Sequence, residues 1–527
     1  MTDDAMKEST EHTPQRAPGV LGWIERTGNA LPDPVFIFLW LILALVLISV
    51  VADMANVQVL HPMQKDEAGN PLVVSATSLL APENIRRLLV DMPTTFMHFH
   101  PLGYVLLVML GAGVAERTGM FGAAMRAAVK NAPASLLTPV IAFVAMMGNL
   151  AADAAYVVLI PLAAALYAAA GRHPVAGIAA SFAGVSGGFS ANLFPGQLDA
   201  MLFGITQAAT ETVTPDWTMN LAGNWWFIIA MLAVFLPLIW FVTDRIIEPR
   251  LGPWQGGPTS GTEPPRGDET LERRALGRAG LAGLGVVGLW LLFTFGPGQP
   301  LLGEGDSLVL QLTPMLQSLV AGFFLLFLAM GWAYGAAIGN VRSHRDIVQM
   351  MSASMADMAY YLVLAFTAAH FVAMFNWSNL GLVVAVNGAD ALRAADLSAP
   401  ALLAAIVVLT ASVNLLIGSA SAKWALLAPV LVPMLMLLGV SPEMTTAAFR
   451  VGDGATNIIT PLMVYFPLIL AFAQRWVPSF GLGSLAATML PYSVGILVVG
   501  IALTVGWALL DLPPGPGASV QYVLPPG

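Results

Sequence analysis

The chain has 527 residues, of which 57% are apolar and only 10% charged, with a formal net charge of -9 and no cysteine. Ordinary soluble domains carry roughly 25% charged residues, so this composition excludes a soluble enzyme and leaves an all-α polytopic membrane protein. The missing cysteines exclude disulfides, thiolate metal sites and cysteine nucleophiles, and no Gly-x4-Gly-Lys-Ser/Thr loop is present to support ATP-driven pumping.

Residues 1–33 are polar and mixed in charge and read as a cytoplasmic N-terminal segment. The first apolar run, 34–54, is longer than a signal-peptide core and lacks a small-residue cleavage site, so it reads as a retained span. Further spans are predicted near 100–117, 174–207, 224–243, 276–296, 309–335, 357–377, 444–474 and 485–510, nine in all. Crossing a bilayer takes about 20 apolar residues for its roughly 30 Å of hydrocarbon. Segments 134–171 and 400–439 differ, because each holds two shorter apolar helices joined by small polar residues, Gly148-Asn149-Leu150-Ala151-Ala152-Asp153 and Gly418-Ser419-Ala420-Ser421. Both are predicted to be re-entrant hairpins whose tips stop inside the membrane. The resulting organisation is a first membrane half over 34–243, a cytoplasmic linker over 244–275, a second half over 276–510 and a C-terminal tail over 511–527.

Basic residues check this topology, since cytoplasmic loops hold the excess of Lys and Arg. With the N-terminus inside, sixteen of the twenty-two fall inside and four outside, while Lys423 and Arg450 lie in the membrane. The C-terminus is then outside. The first hairpin enters from the cytoplasm and the second from the opposite face, which makes the halves inverted repeats, a recurrent plan of secondary transporters. A local pattern agrees: Asp153-Ala-Ala-Tyr156 with Pro161 leads to Gly184-Val-Ser186-Gly187, and Ser421-Ala-Lys-Trp424 with Pro429 leads to Val451-Gly-Asp453-Gly454.

Irregular backbone survives at membrane depth only where protein or a wet cavity satisfies it. The glycine-rich stretches 184–192 and 452–457 are such places, and a helix broken there frees carbonyls for a hard cation and amides for an anion. Side-chain oxygens of Asn149, Asp153 and Asn192 in one half, and of Asn414, Asp453 and Asn457 in the other, are candidate cation ligands, with Na+ at Asn414 and Asp453 as the metal reading. The competing reading is close helix packing, which uses the same small polar residues. Arg450 and Asp453 are one turn apart and form either an internal ion pair or a substrate fork beside an ion carrier. Asp199 is an intramembrane carboxylate, Trp424 an aromatic platform, and Lys423 either snorkels or pairs with a carboxylate. A rival class is an intramembrane serine protease of the rhomboid kind, with Ser186 in Gly-x-Ser-Gly and His370 in another span.

The run Ser421-Ala-Lys-Trp424, Pro442, Ala-Phe-Arg450-Val-Gly-Asp453-Gly454 and Asn457-Ile-Ile-Thr460-Pro461 resembles the AbgT family of p-aminobenzoyl-glutamate transporters. The likeness extends to the first-half Asn192 to Asp199 segment and to the two-hairpin plan. It implies a homodimeric carrier of the bacterial inner membrane, with an outer scaffold and an inner transport core, whose members take up p-aminobenzoyl-glutamate or export p-aminobenzoic acid and sulfonamide antimetabolites. The family's functional positions fall here on Asp199, Asn414, Ser421, Trp424, Pro442, Arg450, Asp453 and Pro461. The expectation is a proton- or Na+-driven secondary transporter of small aromatic carboxylates, not an enzyme, with no cofactor beyond a bound Na+. A Na+-coupled dicarboxylate importer is the alternative within transport.

Overall fold

The computed structural model describes residues 33–65, 70–130, 132–151, 155–214, 217, 219–254, 269–305 and 308–523. Asp153 lies outside the described residues, as do most of the N-terminal segment and residues 255–268 of the linker.

The first helix, α1 (Pro34–Met54), begins where the Asp33 carboxylate accepts from the Val35 amide at 2.8 Å and Pro34 presets the first turn. An antiparallel hairpin follows, β1 (Gln58–Lys65) with β2 (Pro71–Ser75). Two short helices, α2 (Pro82–Val90) and α3 (Met92–Met97), lead into α4 (His100–Arg117). At Gly119, whose φ of +82° suits a residue without Cβ, the chain bends by 61° into α5 (Met120–Lys130).

The segment read as the first hairpin contains α6 (Leu137–Met147) and α7 (Ile160–Ala169), with a tight helical turn over Gly148–Ala151 and a π-helical turn over Ala155–Leu159 between them. Next comes α8 (Pro174–Phe182), which widens into a π turn over Ala183–Gly187 and stops; helix resumes only at α9 (Gln197–Thr210). The first half closes with α10 (Trp225–Leu251). The second contains α11 (Glu269–Phe295), α12 (Leu308–Gln317), α13 (Leu319–Ile338), α14 (His344–Asp357), α15 (Ala359–Trp377) and α16 (Leu380–Ala394). There follow α17 (Ala399–Asn414) and α18 (Ala420–Leu437), the arms of the second predicted hairpin, then α19 (Pro442–Asn457), α20 (Phe466–Trp476) and α21 (Leu482–Leu509).

Among the described residues, seven of these helices are individually long and apolar enough to span a bilayer, and the number rises to at most nine if each of two bent pairs, α4 with α5 and α16 with α17 (118°), is one span. The nine predicted spans fall at the upper end of this range, but the division differs. Predicted spans 174–207 and 444–474 are each two helices separated by irregular chain. The first break follows the predicted glycine-rich stretch, but Gly452–Asn457, predicted to be broken, is continuous helix within α19, and the second break falls beyond it at 458–465, around Pro461. The predicted span 309–335 is likewise divided at Ser318. Helices α5, α14 and α16 were not anticipated, since charges such as Arg126, Asp346 and Asp390 break their apolar runs. The α18 arm, predicted too short to cross, has 18 apolar-rich residues.

Packing sorts the helices into three groups. Residues of α6, α7, α8, α10, α17, α19, α20 and α21 share the largest buried cluster. A second joins α1, α9, α15, α16 and α18, and a third joins α4, α5, α11 and α13. Helices α1 and α11 leave large apolar side chains such as Leu47 and Leu281 exposed, as expected where hydrocarbon and not water is the neighbour. The candidate site lies where α9, α18 and α19 meet.

Candidate functional site

Two broken helices bring the candidate residues together. In the first, the Gly188 amide reaches back to the Ala183 carbonyl at 2.8 Å, one residue beyond the α-helical partner, which ends the ladder. Asn149 and Asn192 hold this break to the first hairpin: Asn192 donates to the Met146 carbonyl at 3.2 Å and Asn149 to the Gly188 carbonyl at 3.4 Å. The residue matched to Trp424 in the sequence pattern, Tyr156, stacks on Tyr465 with ring centres 4.3 Å apart.

The first break touches α19. A Cβ on Gly454 would lie 2.6 Å from the Gly187 carbonyl oxygen, so the second residue of each matched polar centre meets its counterpart backbone to backbone. Just beyond the first break, Asp199 sits in the first turn of α9, where one carboxylate oxygen accepts from the Gly196 amide at 2.7 Å. The other accepts from Arg450 Nη2 at 2.7 Å, and both side chains are buried.

This pairing differs from the internal Arg450–Asp453 pair considered from sequence. Helix α19 carries Thr446, Phe449, Arg450, Asp453 and Asn457 along one stripe at spacings of three and four, yet the two charges turn to different neighbours. Arg450 goes to Asp199 on α9, whereas Asp453 pairs with Lys423 on α18. Asn224, at the start of α10, orients the guanidinium: its Oδ1 accepts from Arg450 Nε at 3.1 Å while its Nδ2 donates to the Glu443 carbonyl at 2.8 Å. Arg450 Nη1 is buried without a partner. A guanidinium offers five N–H donors in a planar fork, so this one is only part used.

Beside it stands Trp424, fully buried, whose indole N–H donates to Thr206 Oγ1 at 2.8 Å and whose ring lies 4.4 Å from that of Phe449. Thr206 in turn meets Thr446 at 3.0 Å. The cavity bounded by Asp199, Phe203, Asn224, Thr446 and Arg450 is about 10 Å³, room for roughly one water. The arrangement is collapsed upon itself.

One turn along α19 lies a second polar cluster. Lys423 Nζ contacts Asp453 Oδ1 and Asn414 Oδ1 with no exposure to solvent. The Asn414 amide nitrogen lies 2.7 Å from the Asp453 carbonyl and 2.9 Å from both Thr456 Oγ1 and Asn457 Oδ1.

Of the remaining candidates, Pro442 opens α19, where its carbonyl accepts from the Thr446 hydroxyl at 2.8 Å. Ser421 lies 3.0 Å from Ser419, the residue that caps α18 at the hairpin turn. Pro461 lies in the break after α19, beside the turn where a Cβ on Gly418 would come within 2.7 Å of the Leu462 carbonyl. The chain from 514 to 522 straps the site from outside its helices. Pro514 and Pro516 accept from the Phe227 amide (3.0 Å) and Asn220 (2.9 Å), and the Val520 carbonyl accepts from the Ser441 amide at 2.9 Å.

Sequence reasoning missed Asn224, Thr206 and Thr446. Asn224 had a signal, a lone amide just before an apolar run, and Thr206 lies two turns from Asp199 on the same face of α9. The protease reading fails: Ser186 Oγ is buried without a partner and His370 Nδ1 lies 2.7 Å from its own helix's Phe366 carbonyl, so the two form no pair.

Comparison with known proteins agrees with the architecture. Residues 19–522 match the family described as "AbgT putative transporter family". The p-aminobenzoyl-glutamate transport protein of Escherichia coli (strain K12) is 34% identical over 496 residues, covering 94% of this chain and 96% of that one. The solved YdaH transporter of Alcanivorax borkumensis superposes with a TM-score of 0.86 at 41% identity, covering 92% of this chain and 100% of that one. Neisseria gonorrhoeae MtrF, assigned to a class of antimetabolite efflux pumps, gives 0.86 at 39% identity, covering 94% and 99%. A family match over residues 19–522 and a shared fold along nearly the whole length lead to one conclusion: the chain is a multi-pass membrane protein of the AbgT transporter family.

Proposed function

We propose that this chain is a secondary active transporter of small aromatic carboxylates of the p-aminobenzoyl-glutamate and p-aminobenzoic acid type, with sulfonamide antimetabolites as export substrates, driven by a proton or Na+ gradient. The observation that carries the reading is the half-used fork of Arg450, with Nη1 unpartnered and Trp424 on the neighbouring helix. A carboxylate needs the fork and a benzene ring needs the flat aromatic face. The name of the E. coli relative, a p-aminobenzoyl-glutamate transport protein, supports this ligand class, and the description of N. gonorrhoeae MtrF supports antimetabolite efflux.

Asp199 then plays a definite part. Its carboxylate rests on the fork in the collapsed site, so a substrate carboxylate enters by exchange with an internal one. The exchange frees Asp199 as Arg450 takes the ligand, which links binding to rearrangement of α9 against α19. Asp453, Asn414, Asn457, Asn149, Asn192 and Asp153 form the ion-coupling set of the proposal, and Ser421, Pro442 and Pro461 shape the substrate path. The halves 34–243 and 276–510 act as inverted repeats, joined by the linker 244–275, and alternating access comes from movement of the hairpin core against the scaffold. The working unit is a homodimer in the bacterial inner membrane with the N-terminus cytoplasmic, as the distribution of Lys and Arg favours.

Flux of labelled p-aminobenzoate and p-aminobenzoyl-glutamate in proteoliposomes, with pH and Na+ gradients imposed separately in each direction, tests the reading. Gradient-driven movement of either ligand is expected. Movement of aliphatic dicarboxylates alone would replace the proposal with the dicarboxylate importer.

A further inference from the structure

We infer that the cation seat of the second half is filled by the chain's own ammonium, Lys423, and takes no Na+ while that side chain is in place. A hard cation such as Na+ needs several oxygen lone pairs not already committed to donors. Five oxygens surround the seat: Asn414 Oδ1, Asp453 Oδ1, the Asp453 carbonyl, Thr456 Oγ1 and Asn457 Oδ1. Lys423 Nζ contacts the first two, and the Asn414 amide nitrogen faces the other three. The two side chains that sequence assigned to a metal, Asn414 and Asp453, thus each turn an oxygen to an ammonium from within the protein.

The orientation of Asn414 is fixed by these partners. Turned over, its Nδ2 would oppose the Lys423 ammonium, donor against donor, and its Oδ1 would face three acceptors. Lys423 has no exposure to solvent and contacts the Asp453 carboxylate. Leaving either charge alone there is costly, so the ammonium does not vacate the seat for Na+ without Asp453 gaining another cation. Lys423 is a positioning residue: a tethered cation that holds Asp453 and Asn414 in the arrangement a bound ion would otherwise impose.

The inference deepens the transport reading and rests on it only for the identity of the cargo; its test is separate. The melting temperature of the purified full-length protein is measured in NaCl and in choline chloride at equal ionic strength, for the wild type and for Lys423→Met. Expected are no Na+-specific shift in the wild type and a saturable upward shift in Lys423→Met, where Asn414 and Asp453 are released to oxygen-ligand chemistry. A saturable Na+ shift in the wild type that Asn414→Ala abolishes overturns the inference, as does a folded Lys423→Met protein blind to Na+. If that variant does not fold, Lys423→Gln replaces it, and the wild-type arm still decides whether the seat takes Na+. Proteoliposome flux of p-aminobenzoate with pH and Na+ gradients imposed separately separates the outcomes: absence of flux under both counts against the transport reading, not against the filled seat.

Discussion

Replacing Asp199 with Asn tests the exchange of carboxylates on Arg450. The amide keeps an oxygen for the Gly196 N–H that Asp199 now accepts at 2.7 Å, so the start of α9 is preserved. What is lost is the charge 2.7 Å from Arg450 Nη2, and the guanidinium, 3% exposed, is left with Asn224 alone. Breaking a buried ion pair by removing one partner costs about 3–5 kcal/mol, so Asp199→Asn should melt well below the wild type in detergent. A ligand carboxylate can then take the vacant place, and at a concentration about 100 times its Kd it returns about 2.7 kcal/mol of stability. In the wild type the same ligand must first displace Asp199, so its stabilising shift should be smaller. The assay is thermal unfolding of both proteins across a titration of p-aminobenzoate. An Asp199→Asn protein as stable as the wild type, with an equal ligand shift, would refute the exchange.

Four further outcomes are expected. Arg450→Lys should weaken aromatic carboxylate binding at least tenfold, about 1.4 kcal/mol, because one ammonium cannot hold Asn224 and a bidentate ligand together; equal affinity in a binding titration counts against the contact. Trp424→Phe keeps a ring beside Phe449 but removes the donor to Thr206, a loss of about 1 kcal/mol readable as a lower melting temperature. Gly454→Ala places a methyl 2.6 Å from the Gly187 carbonyl and should destabilise by about 1–3 kcal/mol in the same assay, whereas an unchanged melting temperature would show that α19 and the first break are not in contact. His173, between α7 and α8, caps α8 by accepting from the Val175 amide at 3.3 Å, and burial holds its imidazole below the ordinary histidine range against the opposing pull of Glu248. That stabilisation is complete above the unfolded value of 6.5 and is lost as pH falls through the lower folded value; His173→Asn, which retains a capping acceptor, should remove that part of the acid sensitivity.

The first break was legible because Gly184 to Asn192 puts glycine and amide side chains together inside apolar sequence. Gly452 to Asn457 looked the same but follows the competing reading: it stays helical in α19, and Gly452 and Gly454 let Val407 and Gly187 approach its backbone. The pairing of charges was not legible. Arg450 and Asp453 are neighbours along α19, and local spacing proposes that they meet; the packing of α9 and α18 against α19 supplies each with a nearer opposite charge from elsewhere in the chain. Asn224 escaped for a related reason: its importance comes from the strap over residues 514–522, which holds the turn before α10 close to the start of α19. No periodicity in the sequence reports such a contact. The β hairpin and the polar helices α14 and α16 were missed because hydropathy sees length of apolar run, not helical hydrogen bonding.

The two ion pairs also bear on the electrical behaviour of the empty carrier. Each unpaired charge moved across the membrane field changes the free energy by about 2.3 kcal/mol per 100 mV. Arg450 with Asp199 and Lys423 with Asp453 cancel within a few ångströms of one another, so these four residues contribute no net charge when the unloaded core changes its facing. The return step is insensitive to membrane voltage as far as they are concerned, and any current that accompanies a cycle reports the cargo and its coupled ion.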